Sequence, residues 1–179
     1  MKQTISMHEP RTLLRPAALF LGGIVVLTAS SWVAVPMVPV PVTMQTLAVL
    51  LVGVLAGPRF GFAMIVFWLG LAALGAPVLS EGKAGIAAFV GPTAGYLLAF
   101  PVVGYLAGLG VKTVMTGHVS RFAGFLALHG LILLAGWAWL ATIIGAREAF
   151  AAGVAPFLIG ALIKSGLGAA IMAAFDRVK

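Results

Sequence analysis

The residue best placed to do chemistry is a lysine in an apolar setting. Lys164 is the only charge between Ala155 and Ile171, with some nine apolar or small residues on either side. Such a run is long enough to cross a bilayer as a helix, which takes about 20 residues. An ammonium at mid-membrane costs roughly 2.5 to 3.5 kcal/mol on insertion scales, so it is read first as functional. Its N–H groups suit a ligand carbonyl or carboxylate. Snorkelling to a headgroup is the bland alternative. Lys164 stands about two turns after Pro156 and about three turns before Phe175, beyond the reach of a four-carbon stem.

The remaining inventory excludes more than it offers. The chain has no cysteine, which removes thiolate nucleophiles, thiolate metal sites and disulfides. Its three histidines are scattered. His129 lies inside an apolar segment without an acid or second histidine one turn away, so it reads as an interhelix hydrogen bond and not as a proton relay. No spanning segment holds Asp or Glu, which argues against a carboxylate-based proton carrier. A phosphate loop of the G-x-x-x-x-G-K-[ST] type is absent, so ATP is not hydrolysed here by the common route. With neither paired acids nor a nucleophile and base, the chain reads as no enzyme, with no metal and no cofactor of its own.

The elements that position Lys164 follow from composition. Hydrophobic residues make up 62% of the 179 and charged residues 8%, and mean hydropathy is +1.16. Those values place the chain in lipid as an all-α integral membrane protein. There is room for six transmembrane helices and little else. The spans are predicted over 13–35, 43–56, 59–75, 92–110, 122–144 and 152–175, in one domain covering 1–179. The first is too long for a signal-peptide core and stays in the chain. On it Ala18 and Gly22, four apart, form a small-residue face that lets another helix approach closely.

Between the first two spans, prolines at 36, 39 and 41 enforce an extended, ordered loop that leads to Gln45 and Thr46. Gly57-Pro58-Arg59 is a tight turn. The longest polar interruption, from Ala76 to Tyr96, carries Glu81 and Lys83 and ends in Thr93 and Tyr96 at the mouth of the fourth helix. It is expected to be a loop that serves as a ligand lid, since irregular backbone at membrane depth needs a cavity or protein cover.

Basic residues orient the bundle. With the N-terminus inside, the inner segments hold Lys2, Arg11, Arg15, Arg59, Lys112, Arg121, Arg177 and Lys179, against Lys83 and Arg147 outside. Eight against two predicts that both termini are cytoplasmic. The net charge of +7 is thus explained by topology, and nothing in its pattern points to nucleic acid. The proline loop, the Glu81 loop and the start of the sixth helix then face outward, placing Lys164 below an external entrance.

The run from Pro39 to Leu47, the Gly57-Pro-Arg turn, Gly75-Ala-Pro-Val78, Gly91-Pro-Thr-Ala-Gly-Tyr-Leu97 and Leu162-Ile-Lys164 together resemble the BioY family. That resemblance implies a biotin-capturing S component of an energy-coupling factor transporter in the bacterial cytoplasmic membrane. The expected partners are a transmembrane coupling protein, met through the Ala18 and Gly22 face, and two ATP-binding subunits that alone use ATP. It implies a ligand site formed by Lys164, Tyr96, Gln45, Thr93, Lys83 and Glu81, with Lys83 taking the biotin carboxylate. One position departs from the family pattern. An Asp usually stands three residues before the lysine, where this chain has Ala161, and the usual Pro is Ile159. Gln45, Glu81, Ser165 or a backbone carbonyl is then left to accept from the ureido N–H. Two other readings stay open: an S component for another small vitamin, and a solitary facilitator or channel, oligomeric through Ala18 and Gly22.

Overall fold

The computed structural model describes residues 11–178. Lys2 and Lys179, counted in the charge asymmetry, lie outside them. Seven helices account for most of the described chain: α1 (Arg11–Trp32), α2 (Gln45–Ala56), α3 (Pro58–Ala73), α4 (Ala94–Thr113), α5 (His118–Ile144), α6 (Ala146–Gly153) and α7 (Phe157–Val178). Three are long and apolar enough to cross a membrane: α4, α5 and α7 as far as Arg177. Large apolar side chains such as Leu21, Val25, Leu134, Ile159 and Ile163 are exposed over the bundle's outside. In water such a surface would be an aggregation site; in lipid it is the solvated face.

The helices α2, α3 and α4 approach to backbone contact. A Cβ on Gly53 would strike the backbone of Gly104, and one on Gly108 would come within 2.6 Å of the Gly53 carbonyl and the Pro58 nitrogen. The missing Cβ at these positions lets the axes close, and the dispersion gained replaces the hydrophobic drive that lipid does not supply. Gly57, at φ 85°, turns α2 directly into α3, with Pro58 at its first position. By contrast α1 is attached along one stripe: Phe20, Ile24, Leu27, Thr28 and Ser31 face inward at helical spacing. Phe20 meets Phe60 and Phe67 edge-on, and the Trp68 indole, fully buried, donates to Thr28 Oγ1 at 3.2 Å.

With 12 residues, α2 rises about 18 Å, short of the roughly 30 Å hydrocarbon core. The proline loop makes up the difference. It is clamped by two short antiparallel strands, β1 (Ala34–Val35) and β2 (Val42–Thr43), with Ala34 opposite Thr43. Its end, Val40 and Pro41, is buried against the bundle, while Val35, Pro36 and Val38 are exposed. The connection between α3 and α4 folds into two 3₁₀ turns, Ser80–Gly82 and Ile86–Phe89.

Boundaries shift at several helices, with α1 closing at Trp32 and α5 opening at His118, and the largest shift is in the last helix. The last helix was expected from 152, but the chain closes α6 at Gly153 and starts α7 only at Phe157. Pro156 offers no N–H and pushes Ala155 out of the helical region, which separates the two.

Candidate functional site

The inner face of α7 is Phe157, Ala161, Lys164, Ser165, Gly168, Ala169 and Met172, a stripe at helical spacing. Lys164 lies on it in the interior, 7% exposed. Its Nζ crosses to the start of α2, donating to the Thr43 carbonyl at 3.0 Å and to Thr46 Oγ1 at 2.8 Å. The cation is therefore fixed by two neutral oxygens and not by a carboxylate. The strand pairing of Ala34 with Thr43 sets where that carbonyl sits.

A cavity of about 620 Å³, counting its open mouth, lies beside this contact. Its walls come from four regions: Val40, Pro41, Thr43, Gln45 and Thr46; Leu79, Ser80, Lys83 and Ala88; Thr93, Tyr96, Leu97 and Phe100; and Leu133, Phe157 and Lys164. Apolar walls with a few placed polar groups suit a small organic ligand. Two lysines line it and, among the described residues, no Asp or Glu does. Lys83 and Thr93 also line a shallow outer hollow with Pro39, Gly91 and Pro92, which puts them at the mouth.

The polar wall residues differ in what they have left to offer. Gln45 accepts from Thr43 Oγ1 at 3.0 Å and donates to Ser31 Oγ on α1 at 2.8 Å. Its Oε1 keeps one lone pair and its Nε2 one proton. Tyr96 donates its hydroxyl to the Gly153 carbonyl at 2.7 Å, and its ring stacks on Phe157, centroids 6.2 Å apart and planes at 28°. A Cβ on Gly136 would land on that ring and one on Gly153 on its hydroxyl. Tyr96 is thus a wall whose polar tip is already used.

Five of the six ligand-site residues expected from sequence come together here: Lys164, Tyr96, Gln45, Thr93 and Lys83. Glu81 does not join them. It turns to the other side of its loop, into a hollow with Trp32, Ala34 and Pro36, while its carboxylate pairs with Lys83 at 2.8 Å. Neither Ala161 nor Ser165 is a wall residue. The Ser165 hydroxyl donates to the Ala161 carbonyl at 2.7 Å and lies 3.1 Å from His129 Nδ1, which donates to the Phe125 carbonyl at 2.9 Å. The interhelix contact read for His129 is thus present between α5 and α7, while its donor bond stays within α5. Ala18 and Gly22 lie on the exposed side of α1, and nothing comes within 4 Å of a Cβ placed on Gly22.

Thr43, Thr46, Ser80 and Phe157 were missed. Phe157 could have been found, being seven residues before Lys164 and hence on the same face. The hydroxyls carry no such signal.

Comparison with known proteins agrees with this geometry. The family model described as the BioY family matches residues 1–179. A probable biotin transporter BioY of Pyrococcus horikoshii is 39% identical over 133 residues, 74% of this chain and 78% of that one. The biotin transporter BioY of Rhizobium etli is 37% identical over 172 residues, 88% of this chain and 91% of that one. In fold, the chain is similar to the S-component for biotin from an ECF-type ABC transporter, solved at 2.1 Å, with a TM-score of 0.83, 23% identity and 95% of each chain covered. With its motifs matched from end to end, the chain belongs to the BioY family.

Proposed function

We propose that this chain captures biotin from outside the cell and serves as the S component of an ECF-type transporter. The observation that carries this reading is the cavity's charge pattern. One lysine is fixed in the interior, another stands at the mouth, the walls between are mostly apolar, and among the described residues no acid lines the space. Biotin is complementary to that pattern, with a ureido carbonyl on its bicycle and a carboxylate at the end of an apolar tail. Lys164 donates to the carbonyl; Tyr96 and Phe157 form the flat wall for the ring; Lys83 receives the tail. Gln45 Oε1, which keeps a free lone pair on the wall, replaces the family's acid as acceptor for a ureido N–H.

Six passes through the bacterial inner membrane, with both termini cytoplasmic, put the cavity mouth outside. The eight-to-two asymmetry of basic residues supports that orientation. The chain needs no cofactor; ATP is used by partner subunits. The coupling protein docks on the exposed Ala18 and Gly22 face of α1, where small residues allow close helix approach.

Equilibrium binding of labelled biotin to the detergent-purified chain tests ligand and class together. An S component binds tightly, whereas a facilitator or channel binds weakly. The double variant Ala18→Leu and Gly22→Leu should bind biotin normally, since both sites face open space, while uptake in cells that carry the ATP-binding subunits falls at least tenfold. Uptake that persists undiminished would remove this face from transport.

A further inference from the structure

The turn from Ser80 to Lys83 has three features that biotin capture by an apolar cavity does not explain. Ser80 lines the cavity and is 6% exposed, yet its hydroxyl has no hydrogen-bond partner among the described residues. A buried hydroxyl left unpaired is costly and calls for a partner that arrives later. Glu81, at φ 59°, is the only non-glycine among the described residues in the left-handed region. Held strain of this kind concentrates at ligand clamps and switch segments. Finally, Lys83 lines the cavity while its Nζ is 2.8 Å from a carboxylate that does not line it.

The left-handed step explains how one short turn divides its side chains. Ser80 before it and Lys83 after it belong to the cavity wall, whereas Glu81 and Gly82 belong to the hollow beside Trp32, Ala34 and Pro36. The turn is held by its own backbone, with Gly82 N–H donating to the Leu79 carbonyl and Lys83 N–H to the Ser80 carbonyl, each at 3.1 Å. Lys83 and Glu81 are both about half exposed, so their pairing is weak and easily exchanged.

We propose that this turn is a carboxylate receptor that works by counter-ion exchange. The ligand's carboxylate takes Lys83 away from Glu81 and accepts the Ser80 hydroxyl, so that Ser80 is a binding residue and Glu81 a built-in competitor. The inference rests on biotin as the ligand and adds what selects its free acid. A neutral derivative can use the cavity walls and Lys164 but cannot displace Glu81. An anionic tail gains a charge-assisted hydrogen bond from Ser80 together with the freed ammonium.

The test compares biotin with biotin methyl ester, by equilibrium titration of the purified full-length chain. The readout is the ratio of the two affinities within each variant, which does not depend on the fraction of protein folded. The wild-type chain should prefer the acid by tenfold or more. Ser80→Ala should lower acid affinity about tenfold and ester affinity by much less, because an ester carbonyl is the weaker acceptor. Glu81→Gln, which keeps the backbone and removes the competitor, should raise acid affinity about two- to fivefold, without effect on the ester. Equal losses for acid and ester in Ser80→Ala would make that residue an ordinary wall and overturn the proposal, as would weaker acid binding in Glu81→Gln. A wild-type chain that binds both compounds equally tightly would refute the receptor while leaving biotin capture intact. Binding of neither would remove both.

Discussion

At Lys164 the cavity wall consists of two helices joined through hydrogen bonds, and at Ser80 it is a turn held by its own backbone. The Lys164 ammonium has two oxygen partners at 2.8 and 3.0 Å, on a stripe of α7 that packs into the bundle. The turn has an unpartnered hydroxyl, a half-exposed ion pair and a left-handed residue. The first region is preorganised, so a ligand that meets it adds interactions without first ordering side chains. The second must exchange partners before it can bind. On the proposed reading, the fixed end holds the ring and the adaptable end exchanges partners for the tail.

Breaking the fixed end should have the largest effect. Lys164→Met keeps most of the stem's volume and removes the donor. A hydrogen bond to a charged group contributes roughly 1.5 to 3 kcal/mol, so biotin affinity should fall by about one to two decades. Yield of folded protein should hold, because Thr43 and Thr46 stand beside a cavity and can be hydrated. Affinity that is indifferent to Lys164→Met would falsify the fixed end and leave the lysine as a structural tie between α7 and the start of α2.

A subtler change tests whether fixing the cation matters as much as having it. Thr46→Val preserves shape and removes the shorter of the two bonds to Nζ, a neutral partner worth about 1 kcal/mol. Lys164 then keeps the Thr43 carbonyl alone and samples other rotamers. Affinity should drop about fivefold, visible in the same titration. An increase would mean that Thr46 competes with the ligand for the ammonium, and that the deep end, like the mouth, works by exchange.

The two ends also differed in how legible they were in the sequence. Lys164 announced itself as a lone charge in an apolar run, and the bundle followed from hydropathy and from Gly and Pro punctuation. Its oxygen partners did not, because a threonine hydroxyl and a backbone carbonyl look the same wherever they occur. At the mouth the polar loop was evident, but the direction of each side chain was not. Glu81 and Lys83 read as neighbours with equal access to a ligand. One left-handed backbone step puts them on opposite sides, and composition gives no warning of it in a glutamate. The short helix α6 was likewise missed, since residues 146–153 read only as the approach to the last span, although Pro156 with its missing N–H marks where that span starts.

Tyr96 sharpens the contrast where the smallest effect is expected. It stands in the wall and carries a hydroxyl, so its type suggests a ligand donor. Its geometry assigns that hydroxyl elsewhere: it donates to the Gly153 carbonyl at 2.7 Å, tying α4 to the end of α6, while the ring is seated against Gly136 and stacked on Phe157. Tyr96→Phe keeps the ring and leaves one buried carbonyl without its donor. The cost should be about 1 kcal/mol of stability, a fall in Tm of roughly 2 to 4 °C for a chain of this size, with biotin affinity unchanged within about twofold. A tenfold loss of affinity without a change in Tm would show that the hydroxyl leaves Gly153 to meet the ligand. The wall would then belong with the adaptable end of the site.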